Sequence, residues 1–170
     1  MFKITIDCHG ERGEFDSEDT TLSEAVESTY TPANFEAGGT ILFHWNQISI
    51  PLPLDCMSDL IDCIFWMFDA ILNGDDFDLN ILCWLFTVTW SFEIQNSMLK
   101  IVSRWWVIKV DEHTREILNS DKSVLIIDKK NFMQEWFKLL SIIRNDLKIV
   151  GYDFPEFNDK LSAYAAFLQE

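Results

Sequence analysis

Asp55, Asp59, Asp62 and Asp69 recur at three- and four-residue steps, Trp66 stands among them, and Asp75, Asp76 and Asp78 follow. On a helix at 100° per residue, Asp55, Asp59, Asp62, Trp66 and Asp69 project within about 40° of one direction. The opposite side carries Met57, Leu60, Ile61, Ile64, Phe68, Ile71 and Leu72. Carboxylates so spaced repel one another by a few tenths of a kcal/mol per pair, and only those in the first turn gain from the helix dipole. A helix kept for stability alone would more often answer them with lysine or arginine, and this segment has neither. An aromatic ring among carboxylates has the composition of an interface anchor. Asp55, Asp59, Asp62, Trp66, Asp69, Asp75, Asp76 and Asp78 are therefore read as a binding surface for a cationic protein. The bland alternative packs Trp66 under a loop or the C-terminal helix.

Other chemistries find less support. His9, His44 and His113 stand outside any local nucleophile motif, His9 and His113 in turns. His44, between Phe43 and Trp45 in a strand-like run, reads as a hydrogen-bonded structural residue. Neither His-x-x-x-His nor Cys-x-x-Cys spacing occurs, so no metal site is assigned. Asp76-x-Asp78-x-Asn80 opens like a calcium loop but has Ile81 at the turn glycine position and Thr87 at the closing glutamate position. The glycines form no phosphate cradle after a strand. With 28 acids, some carboxylates pair by chance, so such pairs carry little information about acid–base catalysis. No catalytic residue and no cofactor is expected.

The acids are unevenly spread. Of 28 Asp and Glu against 13 Lys and Arg, residues 1–80 hold 16 acids with only Lys3 and Arg12, a net of −14. Residues 81–170 hold 12 acids and 11 bases, a net of −1. Such a surface repels phosphate backbones and anionic headgroups, so neither nucleic acid nor a membrane is an expected partner, whereas a basic protein would be drawn to it. The competing reading of the charge is solubility alone.

The elements that would position these residues follow from period and punctuation. Phe2–Cys8 alternates as a strand, and His9 to Thr20 reads as a mobile acidic loop. Thr21-Leu-Ser-Glu24 is a capping box ahead of a short helix that ends at Pro32. After Gly38-Gly39, Thr40–Ile50 reads as one strand closed by Pro51 and Pro53. Asp55–Leu72 is a helix stopped at Asn73-Gly74. Ile81–Gln95 and Ser97–Val110 form an antiparallel hairpin about Asn96, with Leu82, Trp84, Phe86, Val88, Trp90 and Phe92 on one face. Asp111–Asn119 reads as a polar connection, Val124–Ile127 as a strand, and helices start at Asp128 and Pro155, both seeking a sheet to cover. No regular β-α-β alternation appears. The expectation is a single α+β domain over residues 1–170, with a mainly antiparallel sheet and a central long hairpin covered by helices.

Length and an apolar, aromatic-rich composition suit one packed core. The N-terminal residues lack the pattern of a secretory signal, and the apolar windows Leu60–Leu72 and Leu79–Phe92 are too short to span a bilayer. A cytoplasmic location is expected. Cys8, Cys56, Cys63 and Cys83 sit in apolar or strand-like surroundings and read as reduced core thiols.

In format this chain resembles the immunity proteins of bacterial contact-dependent inhibition and polymorphic toxin systems. The resemblance lies in Asp55, Asp59, Asp62 and Asp69, in Asp75, Asp76 and Asp78, and in the charge split, with no diagnostic motif matched. It implies an antitoxin that covers a basic toxin domain, often a nuclease, at or beside its active site. The alternative class is an enzyme or small-ligand protein whose site gathers distant residues around Trp84, Trp90, Trp105 and Trp106. Aromatics at strand spacing are more often core. A nucleic-acid mimic would space its carboxylates along a rod, against the compact hydrophobic composition found here.

Overall fold

Alternation along the chain builds two antiparallel sheets. The computed structural model describes residues 1–8, 12–30 and 39–169. The readings made for His9, Gly10, Pro32 and Gly38 lie outside them. Strands β1 (Phe2–Cys8), β2 (Gly39–Trp45) and β3 (Ile48–Pro53) pair in the order β1-β2-β3. Strands β4 (Phe77–Cys83), β5 (Phe86–Gln95), β6 (Met98–Val107) and β7 (Val124–Asp128) pair in the order β4-β5-β6-β7. Helices α1 (Leu22–Tyr30), α2 (Met57–Asn73), α3 (Glu112–Leu118), α4 (Lys129–Val150) and α5 (Pro155–Gln169) complete an α+β single-domain fold. The β5–β6 hairpin, turning through Asn96 at φ 54°, is the centre of the second sheet, as its sequence predicts.

Aromatic rings join the two sheets. Trp45 of β2 stacks on Trp90 of β5 at 5.6 Å, and Phe43 on Phe86 at 5.5 Å. Helix α4 inserts Phe132 against Phe2 and Trp136 against Phe43, and both rings also meet Trp90. These side chains are fully or almost fully buried, so the centre of the fold is an aromatic cluster between the sheets.

Several sequence expectations are corrected. Thr40–Ile50 is not one strand. Asn46 and Gln47 take φ of 46° and 76°, the two left-handed residues of a tight hairpin, and the chain turns back into β3. Pro51 and Pro53 lie within β3, which tolerates them because it is an edge strand of its sheet. Ile81–Gln95 likewise folds back at Trp84-Leu85, where Cys83 pairs with Phe86. That turn reverses the inward parity, so Ile81 and Cys83 are buried while Leu82 and Trp84 are exposed, against the single face read from the sequence. Asp111–Asn119 is not a plain connection. Asp111 caps α3 by accepting from the Thr114 N–H at 2.9 Å, and His113 lies in that helix. Helix α5 covers helices, packing Phe157 and Tyr164 on Phe65 of α2 and Tyr164 on Phe68, while α4 packs against β1.

Two of the four cysteines also depart from expectation. Cys56 and Cys83 are disulfide-bonded, Cα to Cα 5.9 Å, and both are buried. They stand 27 positions apart in sequence. Helix α2 and β4 double the chain back so that the root of one meets the end of the other, which linear spacing does not reveal. Cys63 is a free thiol.

The segment 12–20, read as mobile, is tied down. The Arg12 guanidinium donates to both Asp146 oxygens at 3.0 Å, and Tyr30 Oη donates to the same carboxylate at 2.7 Å. Phe15 packs on Tyr152 at 4.8 Å, and Tyr152 Oη accepts from the Asp16 N–H at 2.9 Å. The capping box forms as read: Thr21 Oγ1 accepts from the Glu24 N–H at 3.2 Å while Glu24 accepts from the Thr21 N–H at 2.9 Å. The Thr20 N–H, which also donates to it at 2.9 Å, and the Thr21 N–H hold the Glu24 carboxyl below the usual range. Among the described residues, no helix is long and apolar enough to cross a membrane.

Candidate functional site

Helix α2 buries Met57, Leu60, Ile61, Ile64, Phe65, Met67, Phe68 and Ile71, so its other side must face outward. Gly74 ends it in the left-handed region at φ 82°, donating its N–H to the Ala70 carbonyl at 3.1 Å. Asp59, Asp62, Trp66 and Asp69 all lie on this exposed side. Asp55 falls in the 3-10 turn Leu54–Cys56 that precedes the helix, one element earlier than expected, and its side chain is outside what the structure describes.

Trp66 is 49% exposed. Its ring meets Phe77 edge-on at 5.2 Å, and Phe77 stacks on Phe92 at 4.3 Å. The indole is thus held on its inner side and open on its outer side, unlike the covered Trp66 of the bland reading. Asp59 and Asp62 are exposed and form no ion pair among the described residues. Burial pushes the Cys63 thiol up, and the charges of Asp62 and Asp59 push it the same way.

The remaining acids have separate settings. Asp69 accepts from Tyr164 Oη at 2.9 Å and lies 3.8 Å from Lys160 Nζ, so it belongs to the contact between α2 and α5. Burial raises the Tyr164 phenol well above its ordinary range, and the bond to Asp69 with its charge adds to the shift. Asp76 accepts from the Ile94 N–H at 2.7 Å and secures the start of the second sheet. Asp75 is exposed beyond the helix end. Asp78 projects from the sheet face opposite to Phe77, Leu79 and Ile81, so the strand lies between it and the Trp66 side. Asp59, Asp62 and Trp66 are brought together, with Asp75 at the helix end, whereas Asp69, Asp76 and Asp78 serve elsewhere.

His44 is held between Thr5 Oγ1 and Ser49 Oγ, each at 2.9 Å, which is the structural role its sequence suggests. Asn80 accepts from Thr89 Oγ1 at 2.9 Å within the sheet, so Asp76, Asp78 and Asn80 make no cation loop. Among the described residues, no cluster of three His, Cys, Asp or Glu is placed to hold a metal. Trp90 and Trp105 are core residues, while Trp84 and Trp106 are 70% and 45% exposed, so these four do not line one cavity.

Sequence reading missed the outward placement of Trp84, Trp106 and Leu82. One signal was available: Trp105 and Trp106 are adjacent, and neighbours in a strand point to opposite faces, so one of them had to leave the core. No protein-family model, curated protein or solved structure matches the chain.

Proposed function

We propose that this protein is an acidic protein-binding module, an immunity protein that neutralises a basic toxin domain by docking it on the outer face of α2, with a nuclease as the leading candidate. The observation that carries the proposal is Trp66, half exposed and backed by Phe77, beside Asp59 and Asp62 that no cation among the described residues answers. Like charges kept together without compensation cost the free protein a little, and an incoming cationic surface would recover that cost. The indole supplies the desolvated anchor and the carboxylates supply steering.

The chain's net charge of −15 disfavours nucleic acid and anionic membranes as partners. The ligand-site alternative loses support because two of its four tryptophans are core and two are surface. A cytoplasmic location belongs to the same proposal, as a neutraliser must meet its toxin where the toxin acts. The Cys56–Cys83 bond pulls the other way, since disulfides persist mainly in oxidising compartments.

The test is co-expression with the C-terminal domain of the large protein encoded directly upstream. A stable complex that spares the cells supports an immunity role. A basic C-terminal domain that kills cells despite this protein, with no complex recovered, refutes it.

A further inference from the structure

The outer face of the second sheet raises a separate question, because the end of it near the β4–β5 turn is apolar where an antiparallel sheet facing water is usually polar, while Thr89, Ser91, Glu93 and Lys100 occupy much of the rest. Leu82 is 71% exposed, Trp84 70%, Ile126 65%, Trp106 45%, Val107 44% and Val102 36%. Two local features put them there. Trp84 sits in the two-residue connection between β4 and β5, a place where Gly, Asn or Asp normally serves. The register of β5 with β6 shifts between Thr87 and Val88, which pair with Val107 and Trp105, so Trp106 is the extra residue of a bulge and both Trp106 and Val107 emerge outward.

The face is also held in a fixed form. Arg104 lies over the Trp106 ring at 3.9 Å, Trp106 Nε1 donates to Thr89 Oγ1 at 3.2 Å, and Thr89 Oγ1 donates to Asn80 at 2.9 Å. This chain of contacts crosses three strands, from Arg104 and Trp106 of β6 through Thr89 of β5 to Asn80 of β4.

We infer that this face is a self-association surface on which two copies of the chain pack sheet to sheet about a two-fold axis. Size is the first argument. The two tryptophans offer about 250 Å² on the usual area of such side chains. With Leu82 and Val107 beside them, this end of the face offers on the order of 500 Å² of apolar surface, in the range of patches that are often functional and about the apolar share of a standard interface of roughly 800 Å² per partner. Charge is the second. A two-fold interface must complement itself, each residue meeting in the other copy the residue that meets it. Arg104 and Asp78 both project from this face, and neither forms an ion pair among the described residues. A basic partner drawn to the α2 face would not favour a surface with Arg104 near its centre. Pairing here also leaves Trp66, Asp59 and Asp62 free, because the inward side of β4 faces α2 through Phe77 and Cys83.

Sedimentation of the full chain tests the inference. The wild type should show twice the monomer mass at concentrations up to about 100 μM, within the range open to an interface of this size. Leu82→Lys with Trp84→Ser should leave the circular dichroism unchanged and yield a monomer. Arg104→Asp and Asp78→Arg should each weaken the dimer about tenfold, and the two together should restore it. Protection of Trp84 and Trp106 from hydroxyl radicals, rising with wild-type concentration, gives the same reading without any substitution. A wild type that stays monomeric throughout overturns the inference, even if the face then captures a different protein. So does a dimer that ignores Leu82→Lys with Trp84→Ser, or a charge swap that fails to recover pairing.

Discussion

The outer face of α2 and the outer face of the β4–β7 sheet each display tryptophan to solvent, but their surroundings are opposite. Trp66 stands among carboxylates with no lysine or arginine on its helix, while Trp106 carries an arginine on its ring with Leu82, Trp84 and Val107 around it. A single exposed aromatic residue is ordinary. The neighbourhood is what gives it meaning: carboxylates select a cationic partner, and an apolar patch beside exposed residues of both signs selects a like surface. The two faces lie on different layers of one scaffold, so they can be broken separately.

The sharpest break is a control that strikes the scaffold. Asp146, an acid that the fold buries against Arg12 and Tyr30, contrasts with Asp59 and Asp62, which the fold leaves bare. Asp146→Ala should lower stability by about 3 kcal/mol in denaturant unfolding, because it removes the buried carboxylate on which Arg12 and Tyr30 converge. The tether between the faces comes next. Cys56→Ser, or reduction of the wild type, should cost about 3 kcal/mol for a loop of this length, read as a lower melting temperature, and mass spectrometry after alkylation of protein quenched inside cells should find Cys56 and Cys83 blocked if the bond exists there.

A smaller effect separates Asp69 from its neighbours. Tyr164→Phe should cost about 1 kcal/mol, the net worth of one hydrogen bond. The folded-state phenol of Tyr164 titrates above its unfolded value, so its contribution is whole below the ordinary tyrosine range and fades as pH rises through the folded-state value. The variant should therefore lose less stability than the wild type on going from neutral to strongly alkaline pH. Least of all, Asp62→Lys should leave stability unchanged or raise it by a few tenths of a kcal/mol, since it relieves repulsion with Asp59. A loss above about 1 kcal/mol would mean that the carboxylate serves the fold.

Periodicity made the long elements legible. The spacing of Leu60, Ile64, Phe68 and Ile71 gave α2, that of Phe132, Trp136, Leu139 and Ile143 gave α4, and Asp128, Pro155, Gly74 and the Thr21–Glu24 box marked ends that the structure keeps. Two tight turns without glycine were not legible, although Asn96 marked a third. Asn46-Gln47 and Trp84-Leu85 carry no strong punctuation, and missing them merged four strands into two and put Leu82 and Trp84 on the wrong face. The α2 stripe was legible because it depends on one helical period alone. The fates of Asp69, Asp76 and Asp78 depended on α5, on β5 and on strand parity, and those are long-range facts.

The most direct measurement is calorimetric titration of a purified basic toxin domain from the upstream gene into wild-type protein and into a Trp66→Ala, Asp62→Lys variant. The account predicts tight binding to the wild type, and for the variant an affinity lowered by at least about a hundredfold, the scale of losing one anchor residue, with circular dichroism and melting unaltered. Equal affinity for both proteins would contradict it.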